Sequence, residues 1–71
     1  METERPEDLP ADLEQVLEET GALAGWMGYH PALQRDVLAW IESANTPTKR
    51  SKRIDDTARN AGKGVPPSEF Q

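Results

Sequence analysis

One histidine, thirteen acidic side chains, eight basic ones and no cysteine are what this chain of 71 residues has for chemistry. His30 has no second ligand at metal-binding spacing, so a loop or helix-capping position is its expected role. The acids include the adjacent pairs Glu7-Asp8, Glu18-Glu19 and Asp55-Asp56. Neighbours on a helix diverge by about 100°, so none of these pairs forms a carboxylate dyad, and solvated faces are expected. Ser43, Ser51 and Ser68 have no histidine at a recognisable motif, and the five glycines form neither a phosphate loop nor a dinucleotide fingerprint. The expectation is a protein without catalysis, cofactor or metal.

The sharpest electrostatic feature is Lys49-Arg50-Ser51-Lys52-Arg53. Residues 49–63 carry six bases against Asp55 and Asp56, a local charge of +4, whereas residues 1–19 carry eight acids against Arg5, a local charge of −7. Lys49, Arg50, Lys52, Arg53 and Arg59 are therefore the candidate partner-binding residues. They could dock an acidic protein, contact phosphate or nucleic acid from a basic helix over 47–61, or balance the acidic first helix. The net charge of −5 argues against nucleic acid, since residues 1–19 would repel the backbone that the basic helix attracts.

These groups must be carried by helices. From 31 to 44, Leu33, Val37, Trp40, Ile41 and Ala44 fall within an arc of about 100°, with Arg35, Asp36, Glu42 and Ser43 outside it. Pro31 suits a first turn with His30 as cap, and Thr46-Pro47 repeats that signal for the basic helix. Ile54, Ala58 and Ala61 line the inner face of that second helix and imply close approach to a neighbour. Arg50 and Ser51 border this face; Lys49, Lys52, Asp56, Arg59 and Lys63 point outward. Upstream, Leu9, Leu13, Val16, Leu17 and Thr20 share one face of a helix that opens near Asp8 and stops at Gly21. Leu23, Trp26 and Met27 fit one or two further helical turns.

The reading is all-α, a small bundle of three to four short helices with disordered termini: residues 1–7 disordered, 8–63 the helical module, and 64–71 a flexible Pro-containing tail. The expected core is Leu13, Leu17, Trp26, Leu33, Val37, Trp40, Ile41 and Ile54. Trp26, Tyr29 and Trp40 could also form a ligand cage, but an aromatic in the middle of an apolar face belongs to the core, whereas the glycines around Trp26 leave room for exposure. A chain this short buries only about 60% of its unfolded surface, and its stability should be on the order of 3–5 kcal/mol. No apolar run approaches the roughly 20 residues of a membrane helix, and Met1-Glu2-Thr3-Glu4-Arg5 lacks the parts of a signal peptide. With no cysteine, a reducing, cytoplasmic setting is expected.

One pattern is more specific. Pro31, Leu33, Arg35, Leu38, Trp40-Ile41-Glu42-Ser43-Ala44, Pro47, Thr48-Lys49-Arg50 and Arg53-Ile54, with Pro6-Glu7-Asp8-Leu9 and Leu17 upstream, resemble the bacteriocin-protection, YdeI or OmpD-associated family over about residues 6 to 62. Asn45 stands where that family often has a lysine. The resemblance implies a bacterial helical module associated with stress or the envelope, with no established reaction. Together these readings predict a protein-interaction module with another protein as partner, or alternatively a nucleic-acid-associated regulator using the basic helix.

Overall fold

The computed structural model describes residues 9–71. The expected disordered segment 1–7 and the Asp8 cap lie outside them. Four helices follow one another, α1 (Ala11–Glu19), α2 (Leu23–Met27), α3 (Pro31–Glu42) and α4 (Pro47–Ala61), and a single 3-10 turn follows at Ser68–Phe70. Among the described residues there is no strand.

Local chemistry starts and stops these helices. Pro10 precedes α1 in extended conformation, and Asp12 accepts the Leu13 N–H at 2.9 Å. At the far end Gly21 adopts φ +72°, which an L side chain resists, so that its N–H reaches Glu18 O at 3.2 Å and the Ala22 N–H reaches Leu17 O at 2.8 Å. This reversal turns the chain straight into α2. His30 caps α3, its Nδ1 accepting the Ala32 N–H at 3.2 Å, and Thr46 caps α4, its hydroxyl accepting the Lys49 N–H at 3.1 Å. Both prolines stand in a first turn, where a missing N–H costs nothing.

The hub of the bundle is α4, which packs against α1, α2, α3 and the 3-10 turn. It is a polar helix, so its burial rests on a narrow face of Ile54, Thr57, Ala58, Asn60 and Ala61. The Thr57 hydroxyl donates to Arg53 O at 2.8 Å and so enters the core with its polar atom satisfied. Small residues do bring a neighbour close: a Cβ added to Gly25 would lie 1.8 Å from Ala61 O, so only glycine lets α2 reach α4. That approach buries Trp26, which the glycines around it had left open to exposure, and Trp26 meets the Tyr29 ring edge-on at 5.6 Å.

Leu13, Leu17, Val37, Ile41 and Ile54 occupy the core as expected. Leu33 and Trp40 do not reach its centre and are half-buried. They lie about 60–80° around α3 from the mid-line of Val37 and Ile41, at the border of the α4 contact. Residues 64–71 also differ from the flexible tail the sequence predicts. Gly64 at φ +76° closes a second reversal, with the Val65 N–H on Asn60 O at 3.1 Å, and the chain folds back along α4. Proline cannot continue a helix, but it packs well as an extended apolar block, and Pro67 is fully buried.

Candidate functional site

The four-residue corner 43–46 between α3 and α4 sets the first turns of the basic helix beside the end of α3 and the start of α1. There the five candidate cations separate. Arg50 places Nε 2.7 Å and Nη2 3.2 Å from the two carboxylate oxygens of Asp12, and Nη2 also lies 3.3 Å from Glu42 Oε2. One planar guanidinium thus ties α1, α3 and α4 together, a fork geometry that lysine cannot supply. Its hydrogen bonds hold the Asp12 carboxyl below the usual carboxylate value, burial opposing and the Arg50 charge assisting. In return the carboxylates raise the Arg50 pKa, with the hydrogen bond it donates to Asp12 the largest cause.

Arg53 is also committed. Its Nη1 donates to Trp40 O at 2.6 Å and to Ser43 Oγ at 3.0 Å, while its guanidinium carbon stands 5.2 Å from the centre of the Trp40 ring. It therefore closes the C-terminal end of α3 and covers the indole that α4 leaves half-buried. Arg59 stays on its own helix, 3.3 Å from Asp55 and 3.5 Å from Asp56. Among the described residues, no side chain partners Lys49 or Lys52, both of which are exposed. The charge balance with α1 is therefore carried by Arg50, and the free positive charge by the lysines.

Asp56, expected to point outward, turns instead toward the last segment of the chain. Its Oδ2 accepts the Ser68 N–H and its Oδ1 the Ser68 hydroxyl, each at 2.9 Å. Burial pushes its carboxyl up, but the Ser68 bonds and Arg59 outweigh this and leave it below the usual value. Tyr29 donates its hydroxyl to Val65 O, and burial, with the Asp56 charge adding to it, raises its pKa. Phe70 meets Trp40 edge-on at 5.5 Å and 86°. Sequence reasoning offered Tyr29 only as part of a possible ligand cage, set Asp56 toward solvent and took this segment as a flexible tail; the one available signal was Phe70, the lone aromatic of the stretch.

Two recesses flank α4. An open hollow of about 200 Å³ is lined by Trp40, Lys52, Arg53, Asp56, Ser68 and Glu69. A groove of about 380 Å³ runs between α1 and α4, with Val16, Pro47 and Ile54 on its apolar walls and Asp12 and Arg50 at one side. The arrangement offers an aromatic surface bordered by cations, suited to binding an acidic group beside an apolar one. Among the described residues, no group of three or more His, Asp or Glu side chains gathers as a metal site, and no helix is long and apolar enough to cross a membrane.

No curated protein and no solved structure matches the chain. The family described as bacteriocin-protection, YdeI or OmpD-associated matches residues 7–64, a span that contains all four helices and ends at the glycine of the second reversal. The Trp40-Ile41 pair, the Thr46-Pro47 corner and the arginines at 50 and 53 all fall inside it, and the chain belongs to the bacteriocin-protection, YdeI or OmpD-associated family.

Proposed function

We propose that this protein is a small, non-catalytic protein-interaction module of the bacterial cytoplasm, linked to stress or envelope protection, and that its docking face is the Lys49 and Lys52 side of α4 with the hollow beside Trp40. The observation that carries this reading is the split of the basic run: its arginines are bound within the fold, whereas Lys49 and Lys52 are exposed and without a partner among the described residues, Lys52 lying beside the half-buried Trp40 indole. The family's description supports the envelope and stress association. A nucleic-acid role draws less support, because Arg50, Arg53 and Arg59 already have partners within the fold. Two free lysines neutralising two phosphates would give a salt slope of only about −2, weak beside proteins that make six to ten such contacts.

The double variant Lys49→Glu/Lys52→Glu tests the reading. Having no internal partner to lose, it should melt within about 0.5 kcal/mol of the parent, while cross-linking to a bacterial protein in lysate is abolished. Cross-links that persist in the variant refute the docking face. Cross-links that vanish on nuclease treatment of the parent favour the nucleic-acid alternative.

A further inference from the structure

We propose that the face of α3 and α4 against which residues 65–71 lie is a peptide-recognition site, that this segment occupies it in cis and walls one side of the open hollow, and that its partner is an extended segment of the pattern proline, serine or threonine, acid, aromatic. The proposal rests on reading the protein as an interaction module and names the chemistry of what it binds.

The seated segment shows how the site reads a chain. Asp56 takes both the backbone N–H and the hydroxyl of Ser68, and the Asn60 amide fixes that carboxylate from behind at 3.1 Å. Tyr29 reaches the Val65 carbonyl, and Asn60 accepts from the Gln71 side chain at 3.2 Å. Between these polar anchors Pro67 is fully buried and Phe70 stands edge-on to Trp40. Main-chain bonds combined with side-chain seats are how folded domains recognise extended peptides. Every residue of the site lies within the family match at 7–64, whereas the occupant lies beyond it. Glu69 lines the same hollow as Lys52, so the acid of an incoming segment would face that lysine. The occupant is joined through Gly64 at φ +76°, and a tether this short keeps it at an effective concentration on the order of millimolar. A partner must outcompete it.

The test uses the full chain and a synthetic peptide, Val-Pro-Pro-Ser-Glu-Phe-Gln, followed through the Trp40 indole signal by NMR. Gly64→Ala strains the reversal without touching the site or its occupant, so the peptide should bind roughly five to thirty times more tightly to it than to the parent. A peptide with alanine in place of serine should lose about tenfold. Phe70→Ala, which removes the aromatic anchor of the occupant, should act in the same direction. Amide exchange across residues 65–71 reports whether each variant frees the segment. Freed amides with unchanged peptide affinity overturn the proposal, and so does a segment that stays protected in both variants, which would make it a fixed part of the core. A doubling of mass in Gly64→Ala also overturns it, in favour of exchange between copies. Peptide binding that fails while lysine-dependent cross-linking survives refutes this proposal alone; the converse refutes the docking face alone.

Discussion

Replacing Arg50 by methionine removes the guanidinium that joins three helices while keeping most of its apolar stem. The Arg50 side chain is 26% exposed, but Asp12 and Glu42 are 50% and 60% exposed, so solvent screens both ion pairs. The bidentate contact with Asp12 is accordingly taken as about 1 kcal/mol and the longer one with Glu42 as a few tenths, giving a loss of about 1–1.5 kcal/mol at pH 7. In a chain of this size that lowers Tm by about 4–10 °C. The loss carries a pH signature. Folding lowers the Asp12 pKa from its ordinary 3.8, so in acid the unfolded chain binds the proton more readily. Stability from this contact is therefore fully present above that value and disappears as pH falls through the lower, folded one. Urea melts of parent and variant should thus differ by the full amount at pH 6–7 and converge in strong acid, below the folded Asp12 pKa. The gap should also shrink only partly in 1 M salt, because the contact is short and two-pronged. Equal stabilities at pH 7, or a gap unchanged in strong acid, would refute the idea that Arg50 acts through Asp12.

The two tryptophans should behave differently. Trp26→Ala empties a fully buried site and should cost about 3–5 kcal/mol, enough to leave most of the chain unfolded in circular dichroism, whereas Trp40→Ala, at a half-buried position, should cost about half as much and leave a cooperative transition. Gly25→Ala should destabilise by about 1–3 kcal/mol in chemical melts, since its new methyl would collide with the Ala61 backbone, and a stability equal to the parent's would show that α2 and α4 are not held at the spacing described.

Much of the local structure was legible in the residues themselves. The 3.6-residue spacing of Leu13, Leu17, Val37, Ile41 and Ile54, the caps at His30 and Thr46, and the glycine stop at residue 21 each act within one or two helical turns, so a one-dimensional reading reaches them. The charge run was equally visible, and the resemblance drawn from it and from Trp40-Ile41 matches the family found over residues 7–64. What the tertiary structure decided is what each of those groups faces. Lysine and arginine look alike in a charge count, yet Arg50 meets acids from α1 and α3 that lie 38 and 8 residues away in sequence, while Lys49 and Lys52 meet none among the described residues. A polar helix became the hub because Gly25 and Ala61 touch through backbone, a contact that neither residue announces alone. Residues 65–71 lack periodicity, and their order comes from Asp56, Tyr29 and Trp40, groups that only the folding back of the chain at Gly64 brings within reach. Periodicity records which side of an element is apolar; the identity of the surface it meets depends on distances between elements, which no spacing along the chain encodes.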